Sequence, residues 1–421
     1  MSSRTTAALC LLTAVLTGPA TPARAEIRLR LKEVTTIRPT HDGRYFGRAS
    51  LQVLSSGVWV MSYVHSDHHW KDPGGQIEVM FSGDEGRTWA PPNTYLDGKP
   101  VSGLPSAASP KDSPHDPVEP YLYLAPNGDL VIAAMDAIFP PGAGKPRPGH
   151  GGMWITVSSD DGRTWSAWNK VVFTGIPGGG CGDLTQDSFL DGDTIYATSR
   201  LSDWRKNKPG KRLSAEWFYP GKTLPALLKS TDNGRTWKFV SCCDSERDWD
   251  RTGDSETGIE RVGDTELVVV LRGGFKTELP WLTRSYDTGR TWTRPINVSP
   301  EVQSWKRARI YTLKHLKHLS GAETVPKWWH DPILVGTGVH QVSVKTRNVG
   351  LWYSEDKGHT WSAPLDLDAT TGDAGYGDVR MRKDGDLVVV SYHGAHDQAS
   401  IKQYVVGIET GSQALPGDPI P

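Results

Sequence analysis

The chain reads as all-β, a six-bladed β-propeller assembled from repeated hairpins. Three observations predict this: five copies of an S-x-D-x-G-x-T-W box, a second repeat of paired strands between the boxes, and a composition rich in turn formers and aromatic anchors. The 421 residues include 45 Gly, 30 Pro and 17 Trp. Such a make-up suits many short strands joined by turns and argues against a helical protein.

The boxes run Ser82 to Trp89, Ser158 to Trp165, Ser230 to Trp237, Ser285 to Trp292 and Ser354 to Trp361, with Ser, Asp, Gly, Thr and Trp in register in all five. A short Asp side chain can accept hydrogen bonds from N–H groups of its own turn, Gly supplies positive φ, and Trp packs beneath as an anchor. Each box follows a β-rich run, such as Gln76 to Phe81 or Val349 to Tyr353, as a hairpin requires. The box aspartates are therefore read as scaffold, not as catalysts.

The second repeat is a strand, a D-G or N-G type turn and a more apolar strand. It spans Arg48 to Val64, Val118 to Met135, Thr185 to Arg200, Glu256 to Arg272 and Tyr376 to Tyr392. A sixth unit starts near Arg309 and continues through the Ile333 to Gly336 strand, interrupted by a Lys/His/Trp-rich insertion from Lys314 to His330. Six units of roughly four strands fit a blade period of about 40–50 residues. The segment Glu26 to Ile37 is expected to close the ring by pairing with the last blade, which makes residues 26–421 one domain.

Ahead of it, Arg4, the apolar run Ala7 to Leu16 and the small-x-small triplet Ala23-Arg24-Ala25 have the layout of a signal peptide over residues 1–25. A secreted or periplasmic protein starting near Glu26 is expected. No later stretch reaches the ~18 apolar residues of a membrane-spanning helix. Lys and Arg (47) balance Asp and Glu (48), so no basic field exists to hold nucleic acid, and any anion must meet a local arginine cluster. Outside the leader, which holds Cys10, the cysteines are Cys181, Cys242 and Cys243. Three thiols form at most one internal disulfide; a vicinal bond between Cys242 and Cys243 is strained, and Cys181 with either of them stays open.

With these repeats the chain resembles the sialidase (neuraminidase) superfamily of Asp-box propellers over nearly its full length after the leader. The residues opening each inner strand carry the functional part of the likeness. Arg48, in Tyr45-Phe46-Gly47-Arg48-Ala49-Ser50, is similar to the family's first-blade arginine, with Arg-Ala-Ser where Arg-Ile-Pro is usual. Glu256 and Arg272, sixteen residues apart, resemble the fourth-blade glutamate and second arginine. Arg347 resembles the third arginine, and Tyr376 the nucleophilic tyrosine of the last blade. The family's acid is an Asp in the first-blade loop; Asp72 is preferred here, with Asp67 as the alternative.

The chemistry explains such a set. Three permanently charged arginine forks can hold the carboxylate of an acidic sugar. A carboxylate nucleophile would be held off by the substrate's own negative charge, whereas a phenol is neutral and can lose its proton to a neighbouring Glu during attack. The resemblance thus implies a retaining exo-glycosidase releasing a terminal sialic-acid-like sugar from a glycan or glycoconjugate, with Tyr376, Glu256 and Asp72 catalytic and Arg48, Arg272 and Arg347 binding substrate. Glu119, Asp187 and Arg200 occupy comparable strand positions, from which they either reach the same cup or face solvent. No cofactor is implied, and His65, His68 and His69 with Asp67 lack a spacing that defines a metal site. Nothing indicates an oligomer, so a monomer is expected. Two other readings stand beside the hydrolase: a polysaccharide lyase acting on uronate-containing glycans, and a non-catalytic glycan-binding propeller.

Overall fold

The computed structural model describes residues 26–41, 43–67, 75–104, 115–138, 149–177, 182–202, 223–244, 252–273, 281–298, 306–313, 333–341, 346–370, 372–395 and 397–411. Among them there are only strands and turns, and no helix long and apolar enough to cross a membrane.

The strands form five sheets in a propeller-like arrangement. One sheet orders β5 (His115–Leu124), β6 (Leu130–Ile138), β7 (Gly149–Ser158) and β8 (Asn169–Lys170). The next holds β10 (Gly182–Asp191), β11 (Thr194–Ser202), β12 (Thr223–Ser230) and β13 (Thr236–Cys242), with β9 (Val172–Thr174) alongside β13 in parallel. Two more follow: β14 (Thr252–Arg261), β15 (Leu267–Gly273), β16 (Trp281–Ser285) and β17 (Ile296–Asn297), then β18 (Lys306–Leu313), β19 (Ile333–Gln341), β20 (Arg347–Ser354) and β21 (Leu365–Thr370). The fifth, seven-stranded sheet joins β2 (Tyr45–Val53), β3 (Trp59–Ser66) and β4 (Gln76–Ser82) to β22 (Asp373–Met381), β23 (Leu387–Ala395), β24 (Gln398–Gly411) and β1 (Glu26–Arg38). The unit beginning near Arg309 is thus a β18–β19 hairpin, and residues 314–332 between them lie outside the described set. As its position ahead of the first repeat predicts, β1 pairs antiparallel with β24, from Glu26↔Gly411 to Arg38↔Ile401.

The apolar runs explain how the sheets stack. Residues of a strand alternate between its two faces. In β6, Val131, Ala133 and Met135 enter the core shared with β10–β13, while Leu130, Ile132 and Ala134 enter the core shared with β2–β4. The same division holds in β15 and in β23, where Leu387 and Val389 face one neighbour and Val388 and Val390 the other. A strand buried on both faces needs a continuous run such as Leu-Val-Val-Val, which is what both β15 and β23 carry.

The boxes close the hairpins by local bonds. In the second, Ser158 Oγ donates to Asp160 Oδ1 (2.8 Å), Gly162 N–H donates to Ser158 Oγ (2.9 Å), and Thr164 donates from N to Asp160 Oδ1 (2.8 Å) and from Oγ1 to Asp160 Oδ2 (2.7 Å). Trp165 Nε1 then bonds the Gly162 carbonyl at 2.9 Å. Gly162 sits at φ 88°, and a Cβ there would stand 2.7 Å from Phe81 Cε1, so glycine is required for both conformation and space. The residue before each box glycine also has positive φ, from 57° at Thr288 and Lys357 to 61° at Glu85.

Cys243 is a free thiol buried in the core, and burial pushes that thiol well above its usual range. Cys181 and the leader lie outside the described residues.

Candidate functional site

Register breaks at the start of the inner strands build the site. Pairing shifts between Gly47 and Ser50 in β2, Val118 and Tyr121 in β5, Leu184 and Ser188 in β10, Thr252 and Thr257 in β14, Lys306 and Arg309 in β18, and Gly375 and Asp378 in β22. A bulge sets extra residues against the partner strand and re-aims their side chains. In three of these bulges the chain turns left-handed at a non-glycine residue: Arg48 (φ 59°), Glu119 (φ 56°) and Tyr376 (φ 48°). Each such residue costs about 1 kcal/mol or more, and strain of this kind collects at functional positions. The sequence repeat aligned Arg48 with Val118; the bulges correct this by one residue and make Arg48, Glu119 and Tyr376 equivalent.

The three side chains meet. Arg48 Nη1 lies 2.6 Å from Glu119 Oε1, and Arg48 is 1% and Glu119 0% exposed. Glu119 Oε2 also accepts from Tyr121 Oη (2.9 Å) and from Arg200 Nη2 (3.3 Å). The Arg48 guanidinium stands 5.9 Å from the centroid of the Tyr376 ring. Tyr376 stacks on Tyr392 (5.7 Å, 19°), and Tyr392 meets Tyr45 edge-on at 5.5 Å. Burial, followed by neighbouring Tyr45 and Asp373, pushes the Tyr392 phenol well above its ordinary value. Asp373, three residues before Tyr376, is buried and accepts from Arg347 Nη1 at 2.8 Å. Arg48, Arg347 and Tyr376 therefore belong to one group on β2, β20 and β22.

Glu256 falls within the β14 bulge, the counterpart of those holding Arg48 and Tyr376, but its side chain lies outside the described residues, as does Asp72. Arg272, half-buried on β15, stands one residue beyond the Leu271↔Thr257 pair and so lies across from that bulge. Asp67 pairs with Arg44. His65 packs on Phe46 (4.8 Å between centroids) and bonds Glu78 Oε1 through Nδ1 at 3.0 Å, which gives it a structural part; His68 and His69 lie outside the described residues. The residues that sequence reasoning underweighted are Glu119, Asp373 and Tyr392. A signal for Glu119 was present, since Glu119-Pro120-Tyr121-Leu122 aligns with Arg48-Ala49-Ser50-Leu51 once the bulges set the register.

Beneath this group an ionic cluster crosses between inner strands. Arg309 holds Asp378 Oδ2 through Nη1 (2.9 Å) and Asp187 Oδ1 through Nε (3.2 Å), and donates from Nη2 to Ser50 Oγ (2.8 Å). Asp378 also accepts from Leu51 N–H (2.6 Å) and from Arg380 Nη1 (2.6 Å). Strands β2, β10, β18 and β22 are thereby tied together by buried charge. Burial pushes the Asp187 carboxyl up to about 7, against the pull of Arg309.

Known proteins share this architecture. A protein of unknown function from Dyadobacter fermentans superposes with a TM-score of 0.64 at 16% identity, covering 90% of this chain and 99% of that one. The Hadza microbial sialidase Hz136 superposes at 0.60 with 18% identity, over 87% of this chain and 68% of that one. A Penicillium chrysogenum alpha-L-arabinanase complexed with arabinobiose superposes at 0.55 with 14% identity, over 89% and 98% respectively. At these identities the likeness is one of fold. No curated protein gives a significant match. The model of the BNR repeat-like domain matches residues 71–389, a span that holds all five boxes and runs from the first-blade loop to β23. With that match covering most of its length, the chain belongs to the BNR repeat-like domain family.

Proposed function

We propose that this protein is a six-bladed propeller acting as an exo-glycosidase on a terminal sialic-acid-like sugar. Six blades follow if the seven-stranded sheet is divided where β2 and β24 share the single bridge Tyr45↔Ala399. Six apolar cores then lie between successive blades, the last of them uniting Phe46, Leu51 and Trp59 with Val388 and Val390 across the ring closure. The absence of a box from the last blade has a physical reason in this reading, because its outer strand is β1, delivered from the other end of the chain.

The observation that carries the enzymatic reading is the placement of Arg48 and Tyr376 in matched left-handed bulges, 5.9 Å from guanidinium to ring, with Glu256 in the corresponding bulge of β14. In the proposed reaction the Tyr376 oxygen attacks the anomeric carbon as the glycosidic C–O bond breaks. Glu256 takes the phenol proton, and Asp72 gives a proton to the departing oxygen. Water, deprotonated by Asp72, then displaces the sugar from Tyr376, which regains its proton from Glu256; two displacements retain configuration. Arg48, Arg272 and Arg347 orient the sugar carboxylate. On the leader pattern at Arg4 to Ala25, the action takes place outside the cytoplasm.

Arg48 favours a second reading, because its guanidinium is already met by the internal Glu119 carboxylate: a cup that takes a neutral glycan. Release of fluorophore from a sialoside, lost in Tyr376→Phe while the melting temperature holds, supports the first reading. Turnover of arabinan with no turnover of any sialoside supports the second and overturns the first.

A further inference from the structure

The inner strands have a second end. From Tyr376 to Arg380, and from Arg48 to Gln52, each strand runs four residues, of which the bulge absorbs one, or about 10 Å at the strand rise, to the face that carries the boxes. There, beyond the Asp187–Arg309–Asp378 cluster, lies an open-mouthed cavity of about 560 Å³ lined by β2, β5, β10, β14, β18 and β22. This size is that of small-molecule sites, and the ionic cluster separates it from the Tyr376 group.

Arg380, Gln52 and Tyr311 in its lining carry polar atoms with no partner among the described residues. Arg380 is 9% exposed. Its Nη1 bonds Asp378 Oδ1 and the Val379 carbonyl, while Nε and Nη2 have no partner among the described residues. Those two N–H groups form one edge of a planar fork, the geometry that grips a carboxylate through two parallel bonds. The Arg380 guanidinium lies 5.4 Å from the Tyr311 ring centroid, so that ring flanks the same corner. Gln52 spends Nε2 on the Leu122 carbonyl (3.1 Å), which leaves Oε1 as an acceptor, and the Tyr311 hydroxyl is likewise unbonded among the described residues. Asp187 and Glu260 also line the cavity. Their carboxylates repel a bare anion but accept hydrogen bonds from hydroxyls. Ile310, Leu190 and the Tyr311 face complete an apolar wall.

We propose that this cavity is a second, non-catalytic binding site for a sugar acid, which lays its carboxylate on the Nε/Nη2 edge of Arg380 and its hydroxyls on Gln52, Tyr311, Asp187 and Glu260. A simple anion satisfies only the arginine, and a neutral sugar leaves that edge empty. The combination selects a ligand with one carboxylate and several hydroxyls.

D-glucuronate titrated into the full chain by calorimetry, with glucose and acetate as comparators, tests this. Glucuronate is expected to bind at least about tenfold more tightly than either, a difference of about 1.4 kcal/mol. Arg380→Lys keeps the charge, loses the fork, and is expected to weaken binding by about tenfold or more. Gln52→Ala and Tyr311→Phe, which leave the ion pairs intact, are each expected to weaken it about threefold or more; they decide the matter if Arg380→Lys does not fold. Tyr376→Phe and Arg347→Ala are expected to bind glucuronate as wild type does. Equal affinity for glucuronate and glucose, wild-type binding in folded Gln52→Ala and Tyr311→Phe, or loss confined to Tyr376→Phe and Arg347→Ala would each overturn the proposal. None of these outcomes depends on whether sialosides are turned over.

Discussion

Arg48 and Glu119, 71 residues apart in sequence, occupy equivalent left-handed bulges in neighbouring sheets and meet at 2.6 Å with almost no solvent exposure. Glu119 also carries Arg200 and Tyr121, so one carboxylate organises three side chains around the cup. Glu119→Gln removes the charge and leaves two buried guanidiniums facing an amide. A loss of about 3–5 kcal/mol in urea unfolding is expected, the cost of stranding a buried charge. A variant as stable as wild type would show that the pair is not what holds this end of the cup.

The Asp187 carboxyl gives the protein a pH signature. Its folded value of about 7 lies well above the ordinary carboxylate value of about 4, so between those limits the folded state binds a proton that the unfolded chain does not. Stability is therefore expected to decline as pH rises from about 4 to about 7 and to level off above. Asp187→Asn cannot titrate. Melting curves at pH 5 and pH 8 should show a larger drop for wild type than for the variant; equal drops would contradict the assignment.

Box aspartates should matter for stability and not for turnover. Burial acts to raise the Asp160 carboxyl, but hydrogen bonds from Thr164 and Ser158 outweigh it and hold it below the usual range. Its contribution is thus present at neutral pH and fades as pH falls through that depressed value. Asp160→Ala is expected to cost about 1–3 kcal/mol at pH 7 with kcat unchanged. A kcat that falls while the protein stays folded would place the box in the chemistry after all.

Ring closure rests on β1, which covers the edge of β24 and buries Ile27. Deleting residues 26–38 exposes that edge for pairing with other chains. Soluble aggregates or oligomers are expected by light scattering, with a lowered melting temperature. A monodisperse product melting like the intact protein would mean that the ring closes without β1.

The parts legible in the sequence are those made by neighbours along the chain. Ser158, Asp160, Gly162 and Thr164 bond within a few residues of one another, so the motif carries its own geometry and names the hairpin it closes. The Leu-Val-Val-Val runs of β15 and β23 likewise announce strands buried on both faces, because no exposed strand can afford them. Arg48 and Tyr376 were legible as candidates because each opens a repeat unit. Their left-handed backbone was not, since a bulge depends on register with a partner strand, and register is a property of two segments together.

The partnership of Arg48 with Glu119, and of Arg309 with both Asp187 and Asp378, belongs wholly to the tertiary structure. These residues lie 69 to 122 positions apart, and nothing in the local chain distinguishes a buried ion pair from an exposed charge. Only the curling of successive sheets about one axis brings their inner strands close enough to decide which charges meet. The local chain chemistry settles that the protein is all-β and built from boxed hairpins. The packing of the sheets settles that its inner strands carry a candidate cup at one end, a buried ionic cluster in the middle and a cavity at the other.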